Sequence, residues 1–197
     1  MLTQLLQISA LEWFATITGF LCVYLAAKQN SWNWPLSILS VSSYIIIFYD
    51  IKLYGDMVLQ LYFLGTAAYG WYYWQQHPKD DQNAISSLSR KQWILALASI
   101  LIATLLIGSF LAHFTDSDVP YIDGFCTSCS FIAQFLMTRK IIENWLIWVF
   151  VDLCYIPLYV HKELYLTAFL YLAFTIIAWK GYIDWRKSYR KRAAINL

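Results

Sequence analysis

Seven apolar runs, each close to the length that crosses a bilayer, dominate this chain: residues 12–28, 34–50, 55–75, 92–113, 122–138, 144–160 and 163–184. A hydrocarbon core about 30 Å thick is spanned by about 20 residues of helix. Inside it each backbone N–H and C=O must find a partner within the segment, which favours helices for isolated runs of this kind. Composition agrees. The 197 residues are 60% hydrophobic and 13% charged, whereas a soluble domain carries roughly 25% charged residues. With 7 Gly and 4 Pro, collagen-like and Pro/Gly-rich disordered chains are excluded. The sequence therefore predicts an all-α membrane protein with seven transmembrane helices.

The breaks carry recognisable punctuation. Asn33-Trp34-Pro35 reads as an N-cap followed by proline in the first helical turn. His77-Pro78-Lys79-Asp80-Asp81 ends the third run, and Thr115 to Pro120 separates the fourth from the fifth. The N-terminal segment lacks the basic region of a signal peptide, so cleavage is not expected. Seven crossings put the termini on opposite sides. One side, with the C-terminus, collects 12 of the 14 Lys and Arg, and the other holds Lys52 and Lys162. The positive-inside rule makes the C-terminus cytoplasmic and the N-terminus external.

Shifting the chain by 111 residues aligns it with itself without gaps. Phe14 falls on Phe125, Thr16 on Thr127, Asn33-Trp34 on Asn144-Trp145, Tyr44 on Tyr155, Gly70 on Gly181 and Trp74 on Trp185. Leu53-Tyr54 and Leu164-Tyr165 pair in the same way. The expected organisation is 3+1+3: a three-helix repeat at 12–75, a linker helix at 91–113, a second repeat at 122–185 and a basic cytoplasmic tail at 186–197. An odd linker makes the second repeat enter from the same side as the first, so the repeats are parallel. Parallel repeats characterise one class of secondary transporter, with the substrate held near the midplane.

The sixth run carries the most chemistry. Trp145, Trp148, Asp152, Tyr155 and Tyr159 are spaced 3, 4, 3 and 4 apart and form one helical stripe. A carboxylate near the middle of a span costs about 2.5–3.5 kcal/mol on insertion scales and marks a bundle interior or a wet path. Pro157, one turn on, removes a backbone donor and favours a bend. Indole faces beside an acid suit a flat, cationic heteroaromatic ring. The plainer alternative gives Trp145 to an interfacial aromatic belt and makes Asp152 a tie between helices.

Gln60, on the face of the third run that bears Trp71, both donates and accepts hydrogen bonds, which suits an amide edge. The fifth run presents Thr127, Ser130 and Gln134 on one face. Substrate contacts are thus expected from Gln60, Gln134, Trp145, Trp148, Asp152 and Tyr155. Trp34, Tyr44, Trp71, Thr127, Ser130 and Tyr159 are candidate path-lining residues. At the matching positions of the second run stand Ser37 and Val41 instead of Trp148 and Asp152, so the symmetry breaks where the acid sits.

No metal or cofactor is expected. Cys126-Thr-Ser-Cys129 has no second pair and no nearby His, and His77, His113 and His161 share no face. There is no phosphate-binding loop and no catalytic triad pattern, so neither an enzyme nor an ATP-driven pump is read from the chain. The run Arg186 to Arg192 follows a membrane helix and reads as an anchor on anionic lipid rather than a nucleic-acid contact.

Three motifs carry a family resemblance: Trp32-Asn33-Trp34-Pro35, then Tyr69-Gly70-Trp71-Tyr72-Tyr73-Trp74, and Glu143-Asn144-Trp145-Leu146-Ile147-Trp148 with Asp152 and Tyr155 following. From Glu12 to Trp185 the chain resembles the PnuC vitamin transporters. The resemblance implies a bacterial inner-membrane protein with the helix plan of the SWEET sugar carriers, typically a homotrimer. It implies uptake of nicotinamide riboside, or of thiamine or another vitamin in relatives. Uptake would proceed by facilitated diffusion, with the vitamin trapped by cytoplasmic phosphorylation. Trp145, Trp148, Asp152 and Tyr155 match the family's binding helix, and Gln60 matches a polar residue of its third helix. Ala67 and Lys180 stand where some nicotinamide riboside members have Asn, so nicotinamide riboside and thiamine both stay open, as do proton coupling and a partner ATPase.

Overall fold

The computed structural model describes residues 10–50, 54–78, 85–115, 119–161 and 165–195. Among them the seven runs are seven helices: α1 Ala10–Ala27, α2 Asn33–Asp50, α3 Tyr54–Gln76, α4 Arg90–Phe114, α5 Pro120–Thr138, α6 Asn144–His161 and α7 Tyr165–Ile195. Lys52, Leu53, Lys79, Lys162, Leu164 and the side chains of Tyr54, Tyr159 and Tyr165 lie outside the described residues. The shortest helices have 18 residues, about 27 Å at 1.5 Å per residue.

Their exteriors are apolar. Ile94, Leu95 and Leu106 of α4 are 67–69% exposed, and Val58, Phe169 and Ile176 also point outward. Lipid solvates such a surface, whereas water does not. An 18-residue window reaches a mean hydropathy of 2.6 in α4 and 1.5 in α1. The remaining helices carry polar residues within their spans, which lowers their averages.

Two units are compact in themselves: Met1–Ala84 with Ile183–Leu197, and Ile85–Tyr182. In the first, α2 packs against α1 and α3. Lipid tails are as apolar as leucine, so close packing and hydrogen bonds hold membrane helices together. The α1–α2 seam follows this rule. Ala15, Thr18, Ser37, Ser40 and Ser43 are buried, Ser40 Oγ donates to the Ala15 carbonyl at 2.8 Å, and Thr16 Oγ1 lies 3.0 Å from the Tyr44 hydroxyl.

In the second unit α5 packs against α4 and α6. Helix α4 is held closely to α5, because a Cβ placed on Gly124 would sit 2.7 Å from the Gly108 backbone nitrogen and 3.2 Å from the Thr104 carbonyl. Backbone atoms cannot rotate away. Gly124→Val is expected to destabilise the protein by roughly 1–3 kcal/mol, read as a lower melting temperature in detergent. Gly65→Ala, where a Cβ meets nothing within 4 Å, is the matched control. Equal melting of the two variants would contradict this crossing.

The same turn recurs 111 residues apart. α1 ends with Gln29 N–H donating to Ala26 O at 2.9 Å and Asn30 N–H to Leu25 O at 2.9 Å. α5 ends with Lys140 N–H donating to Met137 O at 3.1 Å and Ile141 N–H to Leu136 O at 2.9 Å. Gln29 and Lys140 hold φ of 57° and 52°, a left-handed helix stop usually given to glycine. The side-chain amides of Asn33 and Asn144 then donate to the carbonyls of Asn30 and Ile141.

This corrects the N-cap reading of Asn33. Asn33 is the first residue of α2, and its amide braces the preceding turn instead of accepting from the helix. Asn30 Oδ1 does the accepting there, from Trp32 N–H at 2.9 Å. α7 continues through the basic segment to Ile195. No Gly or Pro follows Gly181, and Lys, Arg and Ala favour helix.

Candidate functional site

The asparagine brace fixes where the next residue points. Trp34 and Trp145 follow Asn33 and Asn144, and each is 1% exposed. The Trp34 indole lies against Gly70, and a Cβ on Gly181 would lie 2.9 Å from the Trp145 ring. In the first unit Trp34 meets Trp74 edge-on at 5.4 Å, and Trp185 donates its indole N–H to the Ala27 carbonyl at 3.2 Å. Trp34 and Trp145 are therefore packing residues seated on glycine. Both were expected on the path or in substrate contact, and the structure places each in the packed interior against a glycine.

One turn further along α6 the situation changes. Trp148 and Tyr155 are half-buried against the core formed by Ile100, Cys126, Cys129, Ala133, Leu136, Ile147 and Val151. The Tyr155 ring lies 5.4 Å from Tyr171, tilted by 59°. Between them Asp152 is 6% exposed, and among the described residues no side chain or backbone group hydrogen-bonds or ion-pairs with it. A buried carboxylate left without donors is costly. α6 stays helical through Pro157 to His161.

The remaining candidates divide. Gln134 of α5 and Gln60 of α3 are half-buried, and neither carboxamide has a hydrogen-bond partner among the described residues. Thr127 is half-buried, while Ser130 is buried with its hydroxyl donated to Cys126 O at 2.9 Å. Tyr44 is engaged by Thr16 and stacks on Phe48 at 5.7 Å. Trp71 lines an open cleft of about 220 Å³ with Ser31, Trp32, Pro35 and Gln75.

Sequence reasoning missed Glu143. Its carboxylate accepts from Ser87 Oγ and from Leu88 N–H at 3.1 Å, tying the segment before α4 to the start of α6. The signal available was an acid immediately before the helix that carries the stripe.

Comparison with known proteins gives a consistent answer. The sequence signature of the family described as nicotinamide mononucleotide transporter matches residues 9–187. The nicotinamide riboside transporter PnuC of Escherichia coli K12 is 27% identical over 95% of this chain and 90% of its own. PnuC of Neisseria mucosa is 29% identical over 91% of this chain and 73% of its own. The riboflavin/roseoflavin transporter RibM of Streptomyces davaonensis is 26% identical over 86% and 81%. A crystal structure of the vitamin B3 transporter PnuC matches with a TM-score of 0.74 at 27% identity, covering 91% of this chain and 81% of that one. The resemblance carried by the tryptophan motifs is thereby borne out, and this membrane protein belongs to the nicotinamide mononucleotide transporter family, among the PnuC proteins.

Proposed function

We propose that this chain takes up nicotinamide riboside by facilitated diffusion with alternating access. Trp148 and Tyr155 border the pyridinium ring, Asp152 provides its charge partner or accepts from a ribose hydroxyl, and Gln134 hydrogen-bonds the carboxamide. Gln60 is a polar contact on the route, and Trp145 supports the stripe from beneath by packing. The single observation that carries this reading is Asp152, buried and without a hydrogen-bond or ion-pair partner among the described residues, between two half-buried aromatic residues of its stripe. The names of the PnuC relatives support the vitamin.

The architecture in this reading is a duplication, with repeats at 12–75 and 122–185 and the linker helix at 91–113. The turn that recurs hydrogen bond for hydrogen bond at one offset supports it. The protein sits in the bacterial inner membrane with its N-terminus outside and its C-terminus in the cytoplasm, as a homotrimer. Cytoplasmic phosphorylation traps the vitamin and feeds it to NAD synthesis.

Proteoliposomes containing only this protein test the reading. Labelled nicotinamide riboside is expected to equilibrate across the membrane without ATP or an ion gradient, and no further. Accumulation that collapses with an uncoupler would favour proton coupling through Asp152. Uptake only in the presence of an added ATPase would favour a partner-dependent carrier. Riboflavin, named for the Streptomyces relative, and thiamine are the competitors to include.

A further inference from the structure

An acid at the start of a helix ordinarily turns back to cap its own first N–H groups. Glu143 does not. Its backbone carbonyl accepts from Leu146 N–H at 3.1 Å and Ile147 N–H at 3.2 Å, which makes it the N-cap of α6. Its carboxylate is directed elsewhere, to Ser87 Oγ and Leu88 N–H. The segment Ile85–Ser89 lies across the turn as an extended strap. Ser86 N–H donates to Lys140 O at 3.2 Å, and Ser86 O accepts from Ile142 N–H at 3.0 Å.

Four hydrogen bonds thus hold the strap onto the turn that launches α6. Its far end is also fixed, because Ser89 caps α4 in a reciprocal box with Gln92 and α4 is locked to α5 at Gly108 and Gly124. Glu143 is 9% exposed, and a carboxylate that enclosed is retained only when donors satisfy it. At the matching position of the other turn stands Trp32, 70% exposed. The clamp therefore belongs to the helix that bears Asp152 and not to its counterpart α2.

We infer that Glu143 is a positioning residue for vitamin binding: by clamping the linker strap to the first turn of α6 it fixes the rotation of α6, and with it the directions of Trp148 and Asp152. This rests on the reading of α6 as the binding helix. A small rotation at the first turn moves every side chain of the stripe, so the clamp acts on affinity through orientation without touching the ligand.

The test compares Glu143→Ala, Glu143→Gln and Ser87→Ala in the full-length protein, titrating nicotinamide riboside against the folded, monodisperse fraction in detergent. Glu143→Ala is expected to raise Kd about tenfold, the scale of a hydrogen bond to a charged group. Glu143→Gln, which keeps an acceptor oxygen, is expected to recover most of the affinity, and Ser87→Ala to raise Kd about threefold. A merely structural residue would lower the yield of folded protein and leave the Kd of that fraction unchanged. If Glu143→Ala does not fold, wild-type affinity in Ser87→Ala overturns the inference. Wild-type affinity in folded Glu143→Ala overturns it as well, while leaving α6 as the binding helix. A wild-type protein that ignores the vitamin removes the α6 reading instead. Amide exchange across 144–152 then reports the clamp directly: it is expected to be faster in Glu143→Ala, and unchanged exchange overturns the clamp.

Discussion

Asp152→Asn is expected to weaken nicotinamide riboside binding about thirtyfold and, in the same protein, to raise the melting temperature of the empty carrier. The first effect follows from the loss of a charged partner, worth about 2 kcal/mol for a hydrogen bond to an ionised group. The second follows from burial. Asp152 is 6% exposed and has no donor among the described residues, so its charged form is poorly solvated in the empty protein. A carboxamide of the same shape carries no charge to desolvate, a difference of about 1 kcal/mol or more. In a chain of this size each kcal/mol moves the melting temperature by about 2–4 °C. Opposite signs in binding and stability are the signature of a group kept for its ligand. A helix tie would lose stability on the same substitution.

The two tryptophans of α6 are expected to separate in the same two measurements. Trp145→Ala empties a fully buried site against Gly181 and is expected to destabilise by about 3–5 kcal/mol, a large share of the roughly 5–15 kcal/mol that holds a folded domain together. Most of the variant should fail to survive extraction as a monodisperse species. Trp148→Ala removes a half-buried ring and is expected to be extracted well, with affinity reduced about tenfold or more through lost stacking and cation–π attraction. Thermal melts and titrations of the folded fractions measure both. The reverse order, with affinity falling more in Trp145→Ala, would return the ring contact to Trp145.

Much of the scaffold was legible because a bilayer is a strict solvent. Runs long enough to cross it appear as helices within a few residues of their expected bounds, and the break at His77-Pro78 follows the end of α3 at Gln76. Less was legible at the ends. Asn33 carries an N-cap side chain, yet the turn stops at left-handed Gln29 and gives that role to Asn30. α7 outlasts its apolar run because charge ends a membrane span without ending a helix.

Within the site, the stripe spacing identified Asp152 and its aromatic neighbours but could not rank them. Burial separates Trp145 from Trp148, and it depends on a glycine 36 positions away. The matched pairs Trp34/Gly70 and Trp145/Gly181 were visible at one offset, although nothing in the sequence says that each glycine is the seat of its tryptophan. Glu143 was visible as part of a motif, but its contact was not, because its partners are a serine hydroxyl and a backbone N–H more than 50 positions away.

Calorimetric titration of nicotinamide riboside into the purified protein, beside Asp152→Asn, tests the central claim most directly. Saturable binding by the wild type, displaced poorly by riboflavin and weakened about thirtyfold in the variant, is the expected result. Equal affinity in the two proteins would contradict the account, since the buried acid of α6 would then have no part in holding the vitamin.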